Sequence, residues 1–211
     1  MYSDITCIIL SGGKSTRMGI NKSFMKLADD TIIDRLVNLC KSIFSDILII
    51  TNEPELYQFH GLQVYTDIYQ NIGPIGGIHS GLVNSSTNTN FVISCDIPLI
   101  NKQTIEFIVD YPSDKMIKVP FADGFLQQLC GIYKKDCLPF IETLISNSKD
   151  EETRDKEQNR RKCKVQQLVN SLDSTIIKIE SEFSDYIPDT FLNMNKPEDY
   201  NRIKKIMNYE L

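Results

Sequence analysis

The sequence lacks any long apolar run and any excess of positive charge. No apolar stretch approaches the roughly 20 residues that a helix needs to cross a bilayer, and no charged and then apolar leader precedes Ile5. The formal net charge is -5, whereas a surface that coats nucleic acid needs an excess of Lys and Arg. We therefore expect a cytoplasmic protein that binds neither membranes nor nucleic acids.

Histidine is scarce and closely spaced cysteine pairs are missing. The two histidines, His60 and His79, give no pattern for a His-centred catalytic triad. The six cysteines include no CxxC pair, and several lie inside apolar runs, where a free thiol behaves as a small hydrophobe. This usage favours a reducing cytosol and argues against chemistry based on histidine.

Short apolar runs alternate with amphipathic segments along the chain. Residues 5–10 (ITCIIL) have the composition of a strand that is buried on both faces of a parallel sheet. Residues 31–44 place apolar side chains on one helical stripe, with Thr31 as the cap and Asp34 in the first turn. This alternation predicts βαβ units, and hence an α/β fold with a mostly parallel sheet.

The remaining elements extend the same pattern. Further strands are predicted at residues 47–50, 62–65, 91–94, 116–119, 125–133, 175–179 and 191–194, and further helices at residues 76–83, 104–109, 137–146 and 197–208. The segment 146–164 has only Cys163 as an apolar side chain, so it cannot anchor itself to a core. We expect it to be an exposed charged insertion within a single domain spanning residues 1–211.

A glycine-rich turn follows the first predicted strand, in the segment LSGGKSTRMGINK that runs from Leu10 to Lys22. Its glycines can expose backbone N–H groups at the carboxyl edge of the sheet, where open α/β folds bind ligands. Lys14, Arg17 and Lys22 could offset the charge of a triphosphate bound to Mg²⁺. The spacing fits neither GxxxxGK[ST] nor GxGxxG, and a surface turn with solvated cations is the alternative.

Two aspartates follow other predicted strands. Asp96, in FVISCDIP, would reach the same edge of the sheet and could bind Mg²⁺, which prefers oxygen ligands; a simple turn cap before Pro98 is the alternative. Asp67 follows the strand at 62–65, and the glycines of residues 73–77 would let a substrate approach the backbone or would simply open a helix. Together these positions predict a nucleotide site.

The segment near the end of the chain, FLNMNKPEDY, has two readings. Asn193 and Asn195 would share one side of a strand, where Asn193 is the better candidate for a ligand contact. Asn195 and Glu198, with Pro197 between them, also match a capping box at the start of a helix. We expect Asn195 to act mainly as that cap.

Five segments in order, LSGGKSTRMGINK, GPIGGIHSGL, CDIP, QQLCGIYKKDCLP and FLNMNKPEDY, resemble the MobA-type molybdenum cofactor guanylyltransferase family. The resemblance spans nearly the whole chain. It implies a three-layer α/β/α Rossmann-like nucleotidyltransferase fold and the transfer of GMP from GTP to molybdopterin-type cofactor, giving the guanine dinucleotide cofactor and pyrophosphate. Proteins that deliver or accept the cofactor are further candidate partners.

The resemblance also implies roles for individual residues. It places nucleotide contacts at Leu10, Ser11, Gly12, Lys22 and Asp67, a magnesium ligand at Asp96, and a weaker candidate contact at Asn52. Arg17 and Lys22 would stabilise charge on the α-phosphoryl group and on the departing pyrophosphate. The implied nucleophile is a pterin phosphate that is already ionised near neutral pH, so no general base is required.

The sequence departs from the usual family pattern in three places: two single residues and the stretch 146–164, which is longer than is typical of the family. Asn21 stands where many members have an acidic residue before the lysine, and Gln128 replaces a common proline. Three rival functions use the same loop: a cytidylyltransferase for the same cofactor, a sugar-1-phosphate nucleotidyltransferase, and a regulatory protein that binds nucleotide without turnover. The presence of both Asp96 and Lys22 favours an enzyme.

Overall fold

The computed structural model describes residues 1–12, 21–150 and 165–209. The strands are β1 (Tyr2–Leu10), β2 (Lys26–Leu27), β3 (Asp30–Thr31), β4 (Phe44–Ile50), β5 (Gln63–Tyr65), β6 (Thr89–Ser94), β7 (Ile117–Ala122), β8 (Phe125–Leu126), β9 (Cys130–Lys134) and β10 (Ser174–Lys178). The helices are α1 (Ile32–Lys41), α2 (Pro74–Asn84), α3 (Lys102–Asp110), α4 (Leu138–Asp150), α5 (Val165–Ser171), α6 (Ile179–Glu182) and α7 (Pro197–Tyr209).

The main sheet has the strand order β10-β7-β9-β6-β1-β4-β5, with β8 paired to β7. Strand β1 pairs in parallel with both β4 and β6, and β4 pairs in parallel with β5. Strand β9 runs antiparallel to both of its neighbours. The predicted α/β fold with a mostly parallel sheet is confirmed, and the carboxyl ends of β1, β4, β5 and β6 share one edge.

Helices cover both faces of this sheet, which gives three layers. Alternate residues of β1 point to opposite faces, so that Cys7 and Ile9 pack in one apolar cluster and Ile8 and Leu10 in the other. The first cluster includes side chains of α1 and α3, and the second includes side chains of α2, α4 and α5. Residues 5–10 of this strand are therefore buried on both faces, as their almost uniformly apolar composition predicts.

Two features of helices α1 and α2 fix the positions of these helices next to the sheet. Thr31 caps α1 in a capping box with Asp34, as predicted. Helix α2 lies so close to β1 that a Cβ on Gly81 would come within 2.4 Å of the Cγ2 atom of Ile8. Only a glycine allows this approach at Gly81, and in the first turn of α2 a Cβ on Gly77 would lie 3.2 Å from the Cδ2 atom of Leu10, at the end of β1.

Two strand predictions are wrong. Residues 125–133 form two strands, because the chain turns between β8 and β9, where the Cys130 N–H donates to the Gln127 carbonyl at 3.1 Å. Asp123 and Gly124, with positive φ angles of 53° and 80°, form the separate hairpin turn between β7 and β8. Residues 191–194 form no strand; they pass the end of the sheet and bury Met194 in a small cluster with Leu27 and Ile203. Apolar alternation there reflects contact with α7 rather than strand pairing.

Other features of the chain agree with the sequence within the described residues. Cys7, Cys40, Cys95, Cys130 and Cys137 are free thiols and are buried. No helix in the described part of the chain is long and apolar enough to span a membrane. Of the predicted insertion at 146–164, residues 146–150 continue α4, and 151–164 lie outside the described residues.

Candidate functional site

The first turn after β1 is held by both neighbouring strands. The Ser11 N–H donates to the Ile50 carbonyl at 2.9 Å, and the Cys95 N–H donates to the Leu10 carbonyl at 3.1 Å. A Cβ on Gly12 would meet backbone atoms of Asn52 and Thr51 at 3.9 Å, which is ordinary van der Waals contact. Leu10 and Ser11 are buried and Gly12 is exposed, so these three sequence-predicted residues form a fixed stretch of backbone that reaches the surface at Gly12.

Buried hydroxyl groups surround Ser11. Its Oγ lies 2.7 Å from the Oγ of Ser23 and 2.7 Å from the hydroxyl of Tyr57. Ser11 and Ser23 also hydrogen-bond the thiol of Cys95, which lowers its pKa, but burial dominates and raises the pKa of Cys95 to about 12. The thiol therefore stays neutral beside these hydroxyl groups.

Asp67 lies beside Leu10, across the first turn of α2. Its Oδ1 would be 3.6 Å from a Cβ on Gly77, and the Cδ2 of Leu10 would be 3.2 Å from the same point. The Nδ2 of Asn52 donates to the Asp67 Oδ2 at 3.2 Å. Burial raises the pKa of Asp67, and the bond from Asn52 opposes this shift without cancelling it. The structure brings three sequence candidates, Leu10, Asn52 and Asp67, together.

The glycine turn at 73–77 opens α2 as the sequence suggests. Gly73 has a φ of 81°, which favours glycine, and Pro74 is the first helical residue. His79 is only 3% exposed, and its Nε2 lies 3.3 Å from the Glu142 carboxylate. This histidine packs between α2 and α4, and its contacts are those of a core residue.

Lys22 and Asp96 meet at the segment that precedes α7. The Lys22 Nζ donates to the carbonyls of Met194 and Asn195, both at 3.0 Å. The Met194 N–H donates to the Asp96 carbonyl at 2.7 Å. Lys22, predicted to bind phosphate, and Asp96, predicted to bind metal, therefore both contact the backbone at Met194. Met194 lies 172 positions after Lys22 in the sequence.

The carboxylate of Asp96 is half-buried at the end of β6. Among residues 1–12, 21–150 and 165–209, it makes no recorded hydrogen bond or ion pair, and no group of three or more potential metal-ligating side chains is found there. Mg²⁺ in nucleotide enzymes is commonly held by one or two carboxylates together with substrate phosphates. A single carboxylate at this sheet edge, beside the sequence-predicted nucleotide residues, fits that donor set.

The segment before α7 differs from the prediction in its cap. The Asp199 carboxylate accepts from the backbone N–H groups of Asn195 and Lys196, at 2.8 and 2.7 Å. The prediction of a box between Asn195 and Glu198 is wrong, because α7 begins at Pro197 and its third residue is Asp199. The Nδ2 of Asn193 donates to the Phe191 carbonyl at 3.1 Å, which stabilises the bend.

Several predicted site residues lie outside the described part of the chain. They are Gly13, Lys14, Arg17 and Gly19 of the first loop. The basic residues Arg160, Arg161, Lys162 and Lys164, whose pattern favours a solvated face over a clamp for the phosphate of the second substrate, also lie outside it.

Sequence reasoning missed Ser23, Glu53 and Tyr57, which contact the ends of that loop. Tyr57 lies in PELYQFH, which shows no motif or period that would have singled it out.

Comparison with known proteins gives one family. A family model described as the MobA-like NTP transferase domain matches residues 7–161 of the chain. A protein of Clostridium perfringens strain 13 named probable molybdenum cofactor guanylyltransferase is 42% identical over 142 residues, which cover 66% of this chain and 71% of that protein. A protein of the same name from Carboxydothermus hydrogenoformans is 31% identical over 204 residues, which cover 96% of both chains.

A solved structure also has the same fold. The crystal structure of molybdopterin-guanine dinucleotide biosynthesis protein A from Archaeoglobus fulgidus matches with a TM-score of 0.79, covering 97% of this chain and 100% of that chain. The sequence identity is 17%. At that level the similarity establishes the three-layer α/β nucleotidyltransferase fold, and it leaves the assignment of residues to the local geometry.

Proposed function

The chain belongs to the family of MobA-like NTP transferase domains, and from this we propose that it transfers GMP from GTP to the molybdopterin form of the molybdenum cofactor. The products are the guanine dinucleotide cofactor and pyrophosphate. The observation that carries the proposal is the meeting of a backbone turn, Asp67 and Asp96 at one sheet edge. We propose further that residues 1–211 act as one domain in the cytoplasm.

The guanine base is assigned to the side of the site that contains Asp67. Guanine presents two neighbouring N–H donors, and a carboxylate accepts two hydrogen bonds in parallel. Asn52 donates to one lone pair of Asp67 Oδ2, so both carboxylate oxygens keep a lone pair for the guanine N–H groups, and Oδ1 faces Leu10 and Gly77. Cytosine offers one amino group beside an acceptor nitrogen, so it would satisfy this carboxylate less well.

The triphosphate is assigned to the turn of Leu10, Ser11 and Gly12 and to the cations that follow it. Lys22 keeps one ammonium hydrogen beyond the two that it donates to backbone carbonyls, and this hydrogen can reach a phosphate oxygen. Arg17, in the loop between Gly12 and Lys22, supplies a second cation in this proposal. Positive charge near the α-phosphoryl group and the leaving pyrophosphate lowers the barrier of the transfer.

Asp96 would hold Mg²⁺ through its uncommitted carboxylate. When bound there, the ion would offset negative charge on the triphosphate and orient it for in-line displacement. The Met194 N–H donates to the backbone carbonyl of Asp96, and this bond fixes the backbone that carries the carboxylate. The acceptor phosphate is already ionised near pH 7, so this chain need only orient it and exclude competing water.

The direct test is turnover with defined substrates. We expect the purified chain with GTP, Mg²⁺ and molybdopterin-type cofactor to release one pyrophosphate for each guanine dinucleotide cofactor formed, with little product from CTP, ATP or UTP. Omitting the pterin substrate is the control and should stop pyrophosphate release. Preferential use of CTP would replace guanylyl by cytidylyl transfer, and nucleotide binding without any turnover would indicate a regulatory protein.

Asp67→Asn should weaken GTP binding and yet stabilise the fold. The amide cannot accept two hydrogen bonds from guanine, so we expect the Kd for GTP at pH 7 to rise about tenfold. Burial raises the pKa of Asp67, so its charge opposes folding at neutral pH. The ionised carboxyl group lowers the free energy of unfolding, and this destabilisation disappears as the pH falls through the raised pKa and the group becomes protonated.

The measurements are calorimetric GTP binding and thermal unfolding of both proteins from about pH 4 to about pH 8. This range covers the titration of a carboxyl group whose pKa is raised. The Tm advantage of the variant should shrink as the pH falls, and the affinity advantage of the wild type should shrink with it. Equal GTP affinity of the two proteins at pH 7 would exclude Asp67 as the guanine acceptor.

A further inference from the structure

One buried tyrosine contacts both ends of the loop that follows β1. Its hydroxyl lies 2.7 Å from the Oγ of Ser11, before the loop, and accepts a longer bond of 3.4 Å from the Nδ2 of Asn21, after it. Ser11 in turn lies 2.7 Å from Ser23. Tyr57 is thus joined, directly or through one hydroxyl, to three residues at the loop ends.

Tyr57 itself comes from another part of the fold. It lies in the 3-10 helix Pro54–His60, which connects β4 to β5. The same connection carries Glu53, whose carboxylate accepts from the Asn21 Nδ2 at 2.7 Å, and Asn52, which bonds Asp67. One connection therefore contacts both the residue assigned to the base and the residues that precede and follow the triphosphate loop.

The environment of Tyr57 rules out direct contact with substrate. The residue is 0% exposed, and its ring lies 5.1 Å from the ring of Phe24, which follows Ser23. A buried hydroxyl that loses its partners costs more than an exposed one, because water cannot replace them. The cluster therefore favours one position of the loop ends over alternatives that would break these bonds.

We infer that Tyr57 is a positioning residue, which sets the Ser11 turn and the Asn21–Ser23 turn at the spacing that a triphosphate requires. The inference rests on the proposed function for the identity of the ligand. Lys22 lies between Asn21 and Ser23, so the same contacts aim its ammonium group along the sheet edge. The hydroxyl acts through the loop and makes no contact with nucleotide.

The test is Tyr57→Phe, which removes the hydroxyl and keeps the ring. The matched control is Tyr133→Phe, because Tyr133 is also 0% exposed and donates one hydrogen bond, at 2.6 Å to the Gln128 carbonyl, far from the loop. We expect the Kd for Mg²⁺-GTP to rise about tenfold in Tyr57→Phe and to change less than about twofold in Tyr133→Phe, at similar losses of thermal stability.

Hydrogen exchange of the nucleotide-free proteins gives a readout that does not depend on the ligand. Backbone N–H groups at Ser11 and at 23–25 should exchange about tenfold faster in Tyr57→Phe only. Ser23→Ala breaks the same cluster from the other side and should give the same two changes, so it replaces Tyr57→Phe if that variant does not fold.

The outcomes separate this inference from the proposed function. Equal exchange and equal GTP affinity in the Tyr57 and Tyr133 variants would overturn the positioning role. Failure of the wild type to form dinucleotide while it binds GTP would overturn the proposed reaction and leave the positioning role standing. Failure of the wild type to bind any nucleoside triphosphate would overturn both.

Discussion

Asp96→Ala should lower kcat for cofactor guanylylation by at least about 10³-fold, which corresponds to about 4 kcal/mol of lost transition-state stabilisation. The carboxylate is the proposed magnesium ligand and makes no recorded bond to the described part of the chain. Its loss should therefore leave folding almost unchanged. GTP should still bind, more weakly, through the backbone turn after β1 and through Asp67. The measurement is single-turnover product formation together with calorimetric GTP binding.

Two variants sharpen this result. Asp96→Asn preserves the shape of the side chain and the backbone bond to Met194 but removes the charge, so its kcat should fall nearly as far. Asp4→Ala removes an exposed carboxylate from the opposite end of β1 and should retain full activity. Full activity of Asp96→Ala would refute the assignment of this residue, whatever the reaction.

Lys22→Ala should lower kcat/KM for GTP by about 10²-fold and raise the Kd for GTP. The variant lacks a cation that would stabilise the negative charge of the triphosphate and the charge that develops on the leaving pyrophosphate. It should also lower Tm by a few degrees, because the carbonyls of Met194 and Asn195 lose their donor. The measurement is initial velocity at varied GTP together with a thermal melt. This double effect follows from a lysine that serves both the substrate and the fold.

Lys26→Ala is the matched control. Lys26 is an exposed lysine four positions further along the chain and lies in β2, so its loss should change kcat/KM by less than about twofold. A Lys22 variant that loses only stability, with unchanged GTP affinity, would limit Lys22 to the structural contact. Full activity of Lys22→Ala would show that catalysis needs neither the contact of Lys22 with substrate nor its contact with the Met194 and Asn195 carbonyls.

The sheet edge could be predicted because its central strands can be recognised from their local composition. Residues 5–10 and 91–94 are mostly apolar and rich in β-branched side chains, which favours burial on both faces, and the polar residues Ser11 and Asp96 follow them closely. Parallel strands then place Ser11 and Asp96 at the same edge. Local composition and the rules of sheet topology were enough for this part of the site.

The remainder depended on contacts that local patterns do not encode. Residues 191–194 alternate like a strand, but Met194 is apolar because it packs under α7, and the period alone cannot distinguish the two causes. The turn at 127–130, which divides residues 125–133, contains no Gly, Pro, Asn or Asp, so it carries no local turn signal. Tyr57 meets Ser11 across 46 positions of sequence, and no short motif predicts such a contact.

The contact of Lys22 with Met194 also has a consequence for synthesis on the ribosome. The chain emerges from its amino end, and domains generally fold as units during synthesis. Strands β1, β4, β5 and β6 have all been synthesised once Ser94 has emerged, but the carbonyls that hold Lys22 lie in the last part of the chain. A nascent chain that stalls before Met194 would contain Lys22 and Asp96 and still lack the segment that contacts both, so we expect the Lys22 side chain to be held only after Asn195 has been synthesised.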